Sequence, residues 1–366
     1  MDKENEKYLF ICNTVFQTMI ALWISHHYYP NKKIEFWISD HMNNGDSIAA
    51  KVNDINPNYK ATYIRTRKFI FDDEKGINKQ RYFRLFPQKL LSLVVEVRDS
   101  YKKIFIANMD RFAQLTYNAL SHLQKTSPKL FLYEDGISTY SLLMNNFYDD
   151  TKLCDDKTLR QKIAKLVCRD KSIWGNIKYA LVFEPRLMSW TPSQNRKIKK
   201  IDKNDKRFLD IVNYVFDYSG IENEYDKKYI FLEESYSASG IEVNDIEIVN
   251  KLSEKVGKEN ILVKIHPRNP VNRFEKLGYK TSKNNSIPWE VICMNLQDIS
   301  EKVLISISSS ALVMPSLVLG CRYRAYSYLG SIVNNTEVAK KIKPELLEMV
   351  IKFYNLYGIK ILEFEK

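Results

Sequence analysis

Ile261-Leu-Val-Lys-Ile-His-Pro-Arg268 sets four apolar residues, Ile261, Leu262, Val263 and Ile265, around one lysine and then stops at His266-Pro267. Such a run reads as a buried parallel strand, because a strand covered on both faces need not alternate apolar with polar residues. Proline lacks the N–H that a central strand donates, so the strand ends at His266. In open α/β sheets, ligands gather beyond the carboxyl ends of the strands. His266 either meets a ligand there or caps a loop, and the rest of the chain bears on which.

The same signature recurs on both sides of this stretch. Strands are expected at 7–12, 34–39, 61–65, 103–107, 129–133 and 179–183, with helical spacing over 15–28, 46–53, 80–99 and 110–123 and a polar, helical segment over 145–178. Asn13-Thr14 reads as the cap of the first helix. The apolar pattern weakens between about 190 and 228, and the alternation then restarts. Strands are expected at 228–232, 261–265, 302–306 and 324–328, and helices at 244–256, 289–294, 311–319 and 344–357, with a polar loop over 233–240. Strand and helix in alternation give a parallel sheet with helices on both faces. The expectation is two doubly wound domains, 1–215 and 216–345, with a cleft between the carboxyl ends of their strands and a terminal helix, 346–366, packing back on the first domain.

Composition bounds the function. The 366 residues exceed one ordinary core, and 45% apolar with 27% charged residues is globular rather than disordered. A net charge of +12 suits nucleic acid, anionic membranes or anionic substrates without choosing among them. Five cysteines, none in a C-x-x-C pair, read as reduced thiols in a cytosolic setting. Met1 to Lys7 is too polar for a signal peptide, and no apolar run is long enough to span a bilayer, so any membrane contact is expected to be peripheral. The basic run from Asn195 to Arg207 is either a solvated linker or a patch for an anionic membrane such as the cytoplasmic face of an inner membrane.

Three strand ends carry candidate chemistry: Glu134-Asp135-Gly136, His266-Pro267 and Ser308-Ser309-Ser310. The serine run precedes a helix, and its hydroxyls with the first-turn N–H groups make a phosphate cradle, where a plain cap would need one serine. Glu134 and Asp135 form either an acidic turn or a base for a hydroxyl, and the histidine can protonate or hydrogen-bond a leaving phosphate. Base, acid and phosphate site together describe group transfer. No Asp-x-Asp ends a strand, and the glycine-rich dinucleotide and P-loop fingerprints are missing. His26, His27, His41 and His122 read as structural or surface residues, and no Cys/His set has zinc spacing.

Leu132-Tyr133-Glu134-Asp135-Gly136, Lys264-Ile265-His266-Pro267 and Ser308-Ser309-Ser310 resemble the motifs of bacterial sialyltransferases, with glycosyltransferase family 52 of lipooligosaccharide and capsule enzymes the nearest match. The opening from Leu9 to Gln17, a strand followed by Asn13, Thr14 and Gln17, is similar to that family's start. The resemblance implies a GT-B fold, two Rossmann-like domains facing each other across a cleft, with CMP-sialic acid held mainly by the second. It implies inversion and no metal, so the only small molecule is the nucleotide-sugar co-substrate. On that analogy Asp135 is the general base, with Glu134 as the alternative, and His266 is the acid or hydrogen-bond donor at the CMP phosphate. Two or more of Ser308, Ser309 and Ser310 hold the phosphate, Lys264 and Pro267 lie along the nucleotide, and Glu290 meets the ribose. Asn13, Thr14, Gln17 and Gly136 fall on the acceptor or sugar side.

The implied activity is transfer of sialic acid to a terminal galactoside of a bacterial surface glycan, most simply in α2,3 linkage, by a cytoplasmic and peripherally attached enzyme that can form a homodimer. A polysialyltransferase, or a GT-B enzyme using another nucleotide sugar, keeps the fold and is the alternative. A basic nucleic-acid-binding or glycan-binding protein is the reading from a different class. Charge spread along the chain and the lack of an RNA-binding signature speak against nucleic acid as a partner.

Overall fold

Leu9, Phe10 and Ile11 are fully or almost fully buried because β1 (Lys7–Cys12) lies inside a parallel sheet, paired with β2 (Lys33–Ser39) on one side and β4 (Tyr101–Ile106) on the other. The computed structural model describes residues 6–66, 89, 100–141, 173–190, 194–236, 243–269, 271–282, 286–330 and 344–363. The chain divides into two compact units, 1–199 and 200–366.

The first unit's sheet also contains β3 (Tyr59–Ile64), β5 (Lys129–Tyr133), β6 (Ile177–Val182) and β7 (Gln194–Lys197), in the order β3-β2-β1-β4-β5-β6-β7, with every pairing parallel. The winding reverses between β1 and β4, and a crevice at the carboxyl ends is expected at such a switch point. The helices of this unit used below are α1 (Val15–Tyr28), α2 (Gly45–Ile55) and α3 (Arg111–Leu123). Thr14 caps α1 by accepting the Gln17 N–H at 3.1 Å, and Asp110 caps α3 by accepting the Ala113 N–H at 2.7 Å. Phe10 stacks on Phe105 with ring centroids 4.2 Å apart and on Phe36 at 5.7 Å. Each such buried ring stabilises the sheet by roughly 1.5–3 kcal/mol.

The second unit repeats the plan. β8 (Tyr229–Leu232), β9 (Ile261–Lys264), β10 (Lys280–Thr281), β11 (Val303–Ser306), β12 (Arg324–Ser327) and β13 (Lys360–Ile361) form a parallel sheet in the order β10-β9-β8-β11-β12-β13. Its switch point lies between β8 and β11. The helices used below are α4 (Lys206–Val215), α5 (Asp245–Val256), α6 (Trp289–Asn295), α7 (Met314–Leu319) and α8 (Pro344–Tyr357). Phe231, Val263, Ile305, Phe274 and the inner face of α5 form one apolar cluster. Two doubly wound parallel-sheet units in tandem are the GT-B chain plan.

Several details differ from expectation. The units divide at 199/200 rather than at 215/216, so α4 belongs to the second unit. The terminal segment is bonded within that unit: β13 pairs with β12, and Tyr354 OH donates to Ser309 O at 3.3 Å. The basic run opens as an edge strand, β7, held by main-chain pairing to β6, with the Arg196 guanidinium 4.5 Å from the Tyr179 ring centre. The helix expected over 311–319 breaks into a tight turn over Ser310–Leu312 and α7, with Pro315 in α7's first turn. The helix expected over 80–99, except Lys89, and most of 145–178 lie outside the described residues. Among the described residues no helix is long and apolar enough to cross a membrane.

Candidate active site

In the first unit, Glu134, Asp135 and Gly136 follow β5 directly, and Gly136 turns the chain at φ 77°, where a side chain would be strained. The two acids do different work. Glu134 is fully buried and accepts from the Tyr140 hydroxyl, the Gly136 N–H at 3.0 Å and the Phe183 N–H at 3.1 Å. It ties the turn to the end of β6, and burial pushes its carboxyl up to about 8. Asp135 is half-buried, and its Oδ1 accepts from Gln17 Nε2 at 2.9 Å. Its Oδ2 accepts nothing among the described residues. Burial pushes this carboxyl up to about 7, with Gln17 opposing and the neighbouring Asp110 charge adding to the shift.

A hydrogen-bonded chain crosses the switch point to fix this carboxylate. Asn13, just past β1, donates its side-chain amide to Asp110, and its main-chain N–H donates to Gln17 Oε1 at 2.6 Å. Gln17 and Asn13 are buried, whereas Thr14 is exposed and serves as the α1 cap. Asn13, Gln17, Asp135 and Gly136 are thus brought together, joined by Asp110, which the sequence reading used only as the start of a helix. Burial raises the Asp110 carboxyl as well.

In the second unit, His266 follows β9 by two residues and is half-buried. Its main-chain N–H donates to Glu233 Oε2 at 3.0 Å, and its Nδ1 accepts the Arg268 N–H at 3.1 Å. An accepting Nδ1 leaves the ring proton on Nε2, which has no partner among the described residues. Burial, then the Arg268 and Lys264 charges, push the imidazole down to about 4. It is therefore a neutral donor through Nε2 at pH 7. Pro267 is exposed and starts the turn that Asn269 N–H closes onto His266 O at 2.9 Å.

Lys264, the last residue of β9, and Glu290, in the first turn of α6, are both buried. Burial lowers the Lys264 ammonium to about 8 and raises the Glu290 carboxyl to about 7, while each opposes the other's shift. Neither forms an ion pair within 4 Å among the described residues.

The three serines have different surroundings. Ser309 Oγ accepts the Ala311 N–H at 3.2 Å and caps the following turn, and Ser310 is exposed. Ser308 is engaged by Glu234, one residue past the first residue beyond β8, through both its main-chain N–H and its hydroxyl. Glu233 and Glu234 escaped the sequence reading, which treated 233–240 as a polar loop. The signal was an acidic pair directly behind the apolar run 229–232, at a carboxyl end. A separate cavity of about 300 Å³, lined by residues including Tyr225, Asn295, Asp298 and Lys302, includes Asp226 and Lys302, which precede β8 and β11, and so opens away from the carboxyl ends. Among the described residues no group of three or more His, Cys, Asp or Glu side chains is arranged to hold a metal ion.

The alpha-2,8-polysialyltransferase (POLYST) family matches residues 8–324 of the chain. No curated protein matches it in sequence. Among solved structures, similar chains include a UDP-glucosyltransferase from Polygonum tinctorium capable of glucosylating indoxyl, at 10% identity, 98% of this chain and 94% of that one, TM-score 0.45. MurG of Acinetobacter baumannii is similar at 9% identity, 98% and 85% coverage and TM-score 0.43. A UDP-N-acetylglucosamine 2-epimerase is similar at 10% identity, 100% coverage of both chains and TM-score 0.46.

Proposed function

Because the chain belongs to the alpha-2,8-polysialyltransferase family of glycosyltransferases, we propose that it transfers sialic acid from CMP-sialic acid to a bacterial surface glycan with inversion and without a metal. The observation that carries this reading is Asp135. A carboxylate at a strand end, with one oxygen held by Gln17, the other unbonded among the described residues and a pKa of about 7, suits a base that takes a hydroxyl proton.

Sialyl transfer builds positive charge on the sugar and negative charge on the departing phosphate. The neutral His266, with its proton on Nε2, supports a donor to that phosphate, and arriving negative charge raises the ring's own proton affinity. Lys264 and Glu290 support recognition of cytosine and ribose, and the serine loop supports the phosphate. In this scheme the acceptor oxygen loses its proton to Asp135, attacks the anomeric carbon, and the bond to CMP breaks.

The acceptor proposed first is a terminal galactoside of lipooligosaccharide or capsule, in α2,3 linkage. A second acceptor compatible with the family is a glycan that already ends in sialic acid, extended in α2,8 linkage. The exposed Arg196, Lys197 and Lys199 support peripheral attachment to an anionic membrane surface, for which binding to anionic but not neutral liposomes, weakened by salt, is the expected result.

The test supplies CMP-sialic acid and EDTA with acceptors ending in galactose or in sialic acid, and follows CMP release and the extended glycan. Transfer to either acceptor is expected, and which one is used decides between the two. Transfer only from another nucleotide sugar would overturn the donor, and a need for added Mg²⁺ would overturn the metal-free scheme.

A further inference from the structure

The donors that Ser308 would offer a phosphate are already engaged by a carboxylate of the same unit. Ser308 gives its main-chain N–H to Glu234 Oε1 and its hydroxyl to Oε2 at 2.7 Å. Ser306 Oγ lies 3.0 Å from the same Oε1. Tyr236 OH lies 2.6 Å from Ser308 Oγ and can donate to it, since that oxygen's own proton faces Glu234. Carboxylate and phosphate oxygens seek the same partners, N–H and O–H groups converging on negative charge. Glu234 therefore occupies the Ser308 end of the loop as an internal anion would.

Its neighbour shows the contrast. Glu233 is paired with Arg273 at 3.0 Å and bonded to the His266 N–H, as a structural carboxylate is. Glu234 has no cation within ion-pair distance among the described residues, and only neutral donors hold it. Burial raises the Glu234 carboxyl while the Ser308 hydrogen bonds oppose that shift, and a second anion beside the ionised carboxylate meets like-charge repulsion. A tethered carboxylate also competes at an effective concentration in the millimolar range or above, which a free small anion has to exceed.

Resting on the reading of the serine loop as the donor-phosphate site, we propose that Glu234 is a specificity-determining residue that closes this loop to free anions. It yields to a phosphate whose nucleoside is anchored at Lys264 and Glu290 of the same unit. Binding energy from the nucleoside then displaces the carboxylate from Ser308, so inorganic phosphate, which has no such anchor, stays out.

The test is calorimetric titration of wild type, Glu234→Gln and Glu234→Asp with CMP, cytidine and inorganic phosphate, on protein shown to be folded by its melting curve. Glu234→Gln keeps the shape and removes the charge. Its CMP affinity is expected to rise about tenfold, with cytidine affinity unchanged within about twofold and phosphate binding becoming measurable. Glu234→Asp, shortened by one methylene, is expected to show a smaller rise of about threefold in CMP affinity and stands in should the first variant fail to fold. CMP affinity unchanged or weakened in the variants, with cytidine still bound, would overturn the role of Glu234 and leave the donor site intact. Wild type and variants that bind neither CMP nor cytidine would overturn the donor-site reading itself, and this inference with it.

Discussion

Gln17 donates to Asp135 Oδ1 at 2.9 Å and cannot turn its amide round, because its own Oε1 accepts the Asn13 N–H at 2.6 Å. The lock makes Gln17 a permanent donor to Asp135, which favours the ionised carboxylate and opposes the upward push of burial. Removing it raises the pKa further. Gln17→Ala is therefore expected to move the acid limb of the kcat/KM profile to higher pH and to lower kcat severalfold at pH 7. A pH–rate profile superimposable on wild type would show that the amide does not tune the base.

Asp135→Asn keeps the size and the Gln17 neighbour but cannot take a proton. His266→Ala removes the Nε2 donor. Each is expected to lower turnover by at least about a hundredfold, as losses of acid–base partners do, while the protein stays folded. Full turnover in either variant, measured by CMP release, would remove the role assigned to that residue.

Glu134 predicts a change in stability more than in chemistry. Glu134→Ala would strand the Tyr140 hydroxyl and the Gly136 and Phe183 N–H groups, a loss of about 2–3 kcal/mol read by chemical denaturation. Its pH signature follows from the sign of the shift. A carboxyl raised from 4.5 to about 8 binds a proton in the folded state that the unfolded chain releases, so stability falls as pH rises through that window. Glu134→Gln is expected to flatten that fall relative to wild type. Equal slopes in the two proteins would show that Glu134 is already ionised in the fold.

Lys264 and Glu290 are expected to read the nucleoside. Lys264→Met and Glu290→Gln should each weaken CMP binding by about tenfold or more, the size of one lost polar contact to a charged group, while leaving the melting temperature near wild type. Titration with CMP beside UMP, UDP and GDP checks this. Selective binding of UDP or GDP instead would retain the fold and replace the donor.

The sequence carried the carboxyl ends well and the sheet edges badly, for physical reasons. A central parallel strand such as Ile261–Lys264 or Lys129–Tyr133 is covered on both faces, so it is an apolar run with one lysine at an end, and the first acid, serine or proline marks where it stops. β7 carries Gln194, Asn195, Arg196 and Lys197, residues with no apolar period, because main-chain pairing to β6 holds it at the sheet's edge with no apolar side chain of its own to bury. β10 and β13 are two residues each, too short for any pattern. Within the candidate site, the strand-end placement of Glu134, Asp135 and His266 was legible because they follow apolar runs. The engagement of Ser308 by Glu234 spans 74 positions in the chain and depends on β8 and β11 lying side by side, which no local pattern reports. The same holds for Asp110, whose link to Asn13 spans 97 positions.

The composition of β7 governs how the molecule can meet its own kind. A bare sheet edge is a template on which another chain's strand can be laid. Here the outer edge of the first sheet presents exposed Arg196 and Lys197. A second copy laid strand to strand along that edge would set the same two cations against each other. Among the described residues, strand-to-strand pairing of two copies along the β7 edge is therefore disfavoured.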